Sequence, residues 1–140
     1  MKFRALPVSA PSAATGNSQL PMRMALWLLD QPRLGRSASV KRLAGRMLKQ
    51  PARRGMVEAQ SRLGQLLCRD CGNARDRRIG LELLRQAARA GAMDAQLELG
   101  RLYSQPRLRE PLQARHWLEL AAAQGSGDAR ELLGRLPETA

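Results

Sequence analysis

The chain has 140 residues, 44% of them apolar and 3% aromatic, and a formal net charge of +12. A core must be assembled from Leu, Ala and Met, which suits closely packed helices and argues against strand-rich folds, whose pleated faces draw on Val, Ile, Tyr and Phe. No apolar run approaches the ~20 residues of a membrane-spanning helix. The opening Met1-Lys2-Phe3-Arg4 has no apolar stretch behind it, so a secretory signal is not expected and a reducing cytoplasm is.

The charge is uneven. Residues 1–54 carry eleven Lys or Arg against the single acid Asp30, whereas residues 55–140 carry thirteen Arg against eleven acids. The basic third is expected either to meet an anionic partner, which would be nucleic acid, an anionic membrane surface or an acidic protein, or to serve as a solubilising surface.

In chain order, residues 1–19 contain Pro7, Pro11, Gly16 and three serines with few large apolar residues, a composition that predicts a flexible arm. A first helix is predicted from about Leu20 to Gln31, with Met24, Trp27 and Leu28 at helical spacing, ending before Pro32 and Gly35. A second runs from about Ser37 to Ala52. Its Arg42, Arg46, Lys49 and Arg53 fall at i, i+4, i+7 and i+11, a one-signed basic stripe with Lys41 and Arg54 beside it, opposite Leu43, Ala44, Met47 and Leu48. Shifted by 36 residues, Leu48-Lys-Gln-Pro-Ala-Arg-Arg-Gly55 lies over Leu84-Arg-Gln-Ala-Ala-Arg-Ala-Gly91. Residues 20–54 therefore read as a degenerate first repeat, in which Pro51 is expected to kink or stop the helix.

From Gly55 the repetition is plain. Gly55-Met-Val-Glu-Ala-Gln, Gly91-Ala-Met-Asp-Ala-Gln and Gly125-Ser-Gly-Asp-Ala-Arg recur at spacings of 36 and 34 residues. Each unit predicts a helix pair. The first helix of each carries Ala59, Leu63, Gly64 and Leu67, then Ala95, Leu99, Gly100 and Tyr103, then Ala129, Leu133 and Gly134 on one face. The second carries Leu83, Leu84, Ala87 and Ala88, matched by Trp117, Leu118, Ala121 and Ala122. The opening glycines suit the left-handed residue that closes a helix, and Glu58, Asp94 and Asp128 suit the first turn of the next one. Such units cannot bury an apolar face alone. The expected architecture is an all-α solenoid of right-handed sense, with repeats over 55–90 and 91–124 and a C-terminal half-repeat cap and tail over 125–140.

The motifs Ala-x-x-x-Leu-Gly-x-Leu-Tyr at Ala95–Tyr103 and Ala-x-x-Trp-Leu-x-x-Ala-Ala-x-x-Gly at Ala114–Gly125 resemble the Sel-one-like repeat (SLR) family, a branch of the tetratricopeptide-type solenoids. The resemblance covers residues 55–136 well, 37–54 loosely and 1–36 hardly at all. The loop after Tyr103, Ser-Gln-Pro-Arg-Leu-Arg-Glu, lacks the glycines usual in the family, and Cys68 stands near the position of Ser104 in the next repeat. The resemblance implies a bacterial-type adaptor that holds another protein and has no catalytic residues.

Two surfaces are expected to carry binding. One is the polar stripe of the first helices, presented on the concave side of such solenoids: Glu58, Arg62, Gln65 and Arg69, then Asp94, Glu98 and Arg101, then Asp128, Glu131 and Arg135. Its mixed signs fit a polar peptide or a charged helix, and equally a solvated face with internal ion pairs. The other is the basic patch of Lys41, Arg42, Arg46, Lys49, Arg53 and Arg54, which can neutralise phosphates without reading bases, since Phe3, Trp27, Tyr103 and Trp117 are the only aromatics. Cys68 and Cys71 with the single His116 do not supply four zinc ligands, and no nucleophile, base and orienting group stand together. No enzyme, cofactor, metal or small-molecule substrate is expected.

Overall fold

The computed structural model of the protein describes residues 12–70 and 73–137, and every regular element among them is a helix. Two compact units divide the chain, residues 1–47 and 48–140. The all-helical expectation is met, with α1 (Ser12–Asp30), α2 (Ala38–Arg53), α3 (Val57–Asp70), α4 (Ala74–Arg89), α5 (Met93–Ser104), α6 (Pro111–Ala123) and α7 (Gly127–Arg135).

The first unit departs from expectation in two ways. Helix α1 starts at Ser12 rather than Leu20. The stretch from Ser12 to Leu20 contains Ala13 and Ala14 and no proline, so its serines and glycine lower helix propensity without forbidding the conformation. Residues 1–11, the rest of the expected flexible arm, lie outside the described residues. Within α1 the buried residues are Met22 and Ala25, whereas Met24 and Trp27 are exposed and Leu28 is half-buried. The helix therefore buries a face rotated by about half a turn from the one its largest apolar residues suggest. After α1, Gly35 N donates to Gln31 O at 2.8 Å and Ser37 N to Leu34 O at 3.0 Å, which closes the turn leading to α2.

Helix α2 does not stop early at Pro51. The helix continues to Arg53 with the proline inside it. Proline has no amide hydrogen to give, but its carbonyl is intact. That carbonyl accepts from Met56 N at 3.1 Å while Gly55 N donates to Ala52 O at 3.1 Å. The same pair of bonds closes α4, from Gly91 to Ala88 and from Ala92 to Ala87, and α6, from Gly125 to Ala122 and from Ser126 to Ala121. These are Schellman closures, and the three glycines hold φ of +84°, +98° and +103°. Proline at 51 thus costs one bond inside the helix without disturbing the device that ends it.

In the second unit each helix packs on its neighbours in sequence: α3 on α4, α4 on α5, α5 on α6 and α6 on α7. The pairs α3–α4 and α5–α6 are the repeats, and α7 is the terminal half-repeat. The core runs through them, with Leu84, Ala87 and Ala88 of α4, Ala95, Leu99 and Tyr103 of α5 and Ala114 and Trp117 of α6 in one cluster. It continues into Leu118, Ala121 and Ala129 at the α6–α7 junction. The small residues set the helix separations. A Cβ at Gly64 would stand 2.9 Å from Gly80 O and 2.7 Å from Leu84 Cγ, and one at Gly100 would stand 2.3 Å from Leu118 Cδ2. Gly134, at the corresponding place in α7, has nothing within 4 Å.

The glutamines of the repeated Ala-Gln pair have a role that the sequence does not disclose. Gln60, 7% exposed, donates to Ala52 O at 3.2 Å, and Gln96, 4% exposed, donates to Ala88 O at 3.1 Å. Each reaches back eight residues to a carbonyl near the end of the preceding helix, which already accepts from the closing glycine and here takes a second bond. Each also joins the second helix of its own repeat, Gln60 donating to Gln86 Oε1 at 3.1 Å and Gln124 donating to Gln96 Oε1 at 2.7 Å. Arg130 stands in their place in the half-repeat.

Candidate functional site

The first helices of the units, α3, α5 and α7, also pack on one another, α3 on α5 and α5 on α7, while α4 and α6 do not approach comparably. The side formed by α3, α5 and α7 is therefore the inner side of this unit. The polar stripe lies along these helices, but most of it is engaged within the protein. Glu98 is 4% exposed. Arg69 grips it with two bonds, one from Nε to Oε1 at 2.8 Å and one from Nη2 to Oε2, a bidentate pair across the α3–α5 junction. Arg101 Nη1 lies 3.9 Å from the same carboxylate, and Arg101 Nη2 reaches Asp128 Oδ2 at 3.2 Å, which ties α5 to α7. Arg69, Glu98, Arg101 and Asp128 form a ladder of charge over all three helices.

Glu98 was expected to face a partner, and its burial corrects that expectation. A carboxylate removed from water stays ionised at least cost when guanidinium groups surround it, and here two do. On α7 the remaining pair, Glu131 and Arg135, is joined at i, i+4. Glu58, Arg69, Asp94, Asp128, Glu131 and Arg135 are exposed and Arg62, Gln65 and Arg101 half-buried, so solvent reaches the stripe everywhere but at Glu98. Internal ion pairing and open polar surface are both present along this side.

Where the inner side meets the loops joining first to second helices, the chain forms a cavity of about 690 Å³ that is open to solvent on one side. Its apolar lining comes from Ala74 and Leu81 of α4, Leu102 of α5 and Leu108 of the loop. Its charge comes from Arg69, Arg77, Arg78, Arg101 and Arg107 against Glu98 alone. Arg77, Arg78 and Arg107 have no carboxylate within 4.0 Å among the described residues. The loop bearing Arg107 and Leu108 is held by its backbone: Leu108 N and Arg109 N donate to Gln105 O at 3.1 and 3.0 Å, and Glu110 N donates to Tyr103 O at 3.1 Å. Arg109 has φ of +41°. An arginine thus holds the left-handed conformation that glycine favours. Sequence reasoning found Arg69, Glu98 and Arg101 but missed Arg77, Arg78, Arg107 and the leucines, which come from separate segments with no shared spacing.

Other candidates read as packing. Tyr103 accepts from Arg85 Nε at 2.9 Å, and this bond holds the Arg85 guanidinium above its ordinary range. Cys68 Sγ lies 3.7 Å from Arg77 O, to which it donates; Cys71 is outside the described residues. His116 meets Trp117 edge to face at 5.0 Å. Among the described residues no three His, Cys, Asp or Glu gather as metal ligands, and no helix is long and apolar enough to cross a membrane. On α2, Arg42, Arg46, Lys49, Arg53 and Arg54 are exposed and Lys41 is half-buried.

Comparison with known proteins agrees with this geometry. The Sel1 repeat family model matches residues 57–91 and 94–126, the two complete helix pairs. A solved structure, the crystal structure of a Sel1 repeat protein from Oxalobacter formigenes, superposes with a TM-score of 0.64 at 28% identity, covering 88% of this chain and 92% of that one. A search of curated proteins finds no match.

Proposed function

Because the chain belongs to the Sel1 repeat family over residues 57–126, whose members generally serve as protein-interaction scaffolds, we propose that it is a non-catalytic adaptor holding a polar segment of a partner protein on the inner side of α3, α5 and α7. The observation that carries this reading is the division of labour along that side. The ladder of Arg69, Glu98, Arg101 and Asp128, closed over the buried Glu98, fixes the spacing of the helices, while Glu58, Arg62, Gln65 and Asp94 are open to solvent beside it. A rigid polar surface with preset spacing selects a partner with little ordering cost on its own side.

The test is pull-down from cells with Arg62→Glu combined with Gln65→Glu, compared with Arg89→Glu on α4. Loss of the partner with the double variant and retention with Arg89→Glu is expected. Retention of every partner by the double variant would contradict the inner-side assignment. Arg101 is unsuitable for charge reversal, since it contacts Asp128 and Glu98 and its loss would loosen the ladder.

The exposed cations of α2 support a second reading, sequence-independent binding of nucleic acid or an anionic membrane. Such binding weakens steeply with salt, by roughly one power of salt concentration per phosphate neutralised. Replacing Arg42, Arg46, Lys49 and Arg53 with Gln is expected to abolish it; binding indifferent to salt and to these changes would exclude it.

A further inference from the structure

We propose that the 690 Å³ cavity between the two complete repeats is a peptide-binding site for an acidic segment, one that places an aliphatic side chain between carboxylates. The inference rests on the adaptor reading and names the chemistry its partner must present.

Charge decides the sign of the occupant. Of the five guanidiniums lining the cavity, Arg69 and Arg101 are committed to Glu98. Arg77, Arg78 and Arg107 are left without a carboxylate within 4.0 Å among the described residues. The nearby acid of the same helix turn, Asp76, is turned toward Asn73, whose Nδ2 donates to it at 3.0 Å. The Glu98 carboxylate is covered by its own partners, so an incoming anion meets cations. Arginine offers a planar fork that binds carboxylate in two places at once.

Shape and composition decide the rest. Leu81, Leu102 and Leu108 give an aliphatic floor, and the volume falls in the range of sites that hold ligands larger than one side chain, such as a short peptide segment. Leu108, 41% exposed, has most to gain from being covered. No aromatic ring lines the cavity. Nucleic-acid bases bind such grooves by stacking on aromatic faces, and here Tyr103 and Trp117 are both in the core, so an aliphatic residue flanked by Asp or Glu fits better than a nucleotide. The wall bearing Arg107 and Leu108 is pinned by three backbone hydrogen bonds, and Cys68 is bonded to the backbone of Arg77 on the opposite wall. The site is therefore formed before a ligand arrives, which lowers the entropic cost of binding.

The experiment is selection of a random decapeptide display library on the full chain. Selected peptides are then titrated by fluorescence anisotropy against the wild type, Arg77→Glu/Arg107→Glu, Leu81→Asn, Arg62→Glu and, as the control, Arg89→Glu, with circular dichroism verifying that each variant is folded. The expected result is enrichment of peptides with Asp or Glu on both sides of Leu, Ile or Met. Their affinity should fall by about tenfold or more in the first two variants and stay within about twofold in Arg89→Glu. Peptides that bind the cavity variants as tightly as the wild type but lose affinity in Arg62→Glu would overturn the cavity site and leave the inner-side adaptor standing. Selection of basic or aromatic motifs, or tighter competition by oligothymidylate than by the acidic peptides, would overturn the proposed ligand class. Failure to enrich any peptide would overturn both this site and the adaptor reading.

Discussion

Gly64, Gly100 and Gly134 occupy one position of the repeat, 36 and 34 residues apart, yet replacing each with alanine should have opposite consequences. In a solvated helix alanine is favoured over glycine by ~1 kcal/mol. At Gly134 nothing lies within 4 Å of the new Cβ, so most of that gain should appear, as ~0.5–1 kcal/mol of added stability. At Gly100 the Cβ would fall 2.3 Å from Leu118 Cδ2 and 2.4 Å from its Cγ, and Leu118 is fully buried with nowhere to turn. Overpacking of this kind costs ~1–3 kcal/mol, which leaves a net loss of up to ~2 after the helical gain of ~1. At Gly64 one obstacle is a backbone oxygen, Gly80 O at 2.9 Å, which moves only if α4 moves, and a similar net loss is expected. Urea titrations followed by far-ultraviolet circular dichroism should separate Gly134→Ala from the other two by ~2 kcal/mol, or ~6 °C in Tm for a chain of this length. If Gly100→Ala stabilises the protein, or Gly134→Ala destabilises it as much as Gly100→Ala does, the packing distances argued above are wrong.

Leu99→Ala should cost ~2–5 kcal/mol because Leu99 is fully buried at the centre of the core; Leu133→Ala, at a half-buried site on α7, should cost clearly less in the same titration. Gln96→Leu should lose ~0.5–1.5 kcal/mol, since the Ala88 carbonyl keeps only its bond from Gly91 N and the Gln124 amide only its bond to Gly91 O, and a neutral result would show that the glutamine bridge adds nothing to stability. Arg109→Gly should raise stability by ~0.5–1 kcal/mol by relieving a left-handed arginine, as calorimetry can check.

What the sequence discloses is whatever depends on local spacing. The glycines at 55, 91 and 125, the acids three residues on, and the Ala-Leu-Gly face of each first helix follow from propensity and period, and the structure places them as expected. Features that depend on a distant partner are not legible. Gln60 and Gln96 look like ordinary surface glutamines until the preceding helix end comes within reach. Glu98 sits in a mixed-sign stripe and differs from Asp94 only in that Arg69, 29 residues away, buries it. The cavity is built from the end of α3, the start of α4, the end of α5 and a loop, and no one-dimensional pattern joins them. Helix α1 shows the remaining failure, where the bulk of Met24 and Trp27 points to a face that the fold leaves exposed in favour of Met22 and Ala25.

The claim that the inner side of α3, α5 and α7 holds a partner protein is tested most directly by site-specific photo-crosslinking in cells. A photoreactive amino acid is placed singly at Gln65 and Asp94 on the inner side and at Glu82 and Glu119 on α4 and α6. The account predicts one discrete adduct of the same mass from both inner positions and none from Glu82 or Glu119. Adducts from Glu82 and Glu119 alone would contradict it.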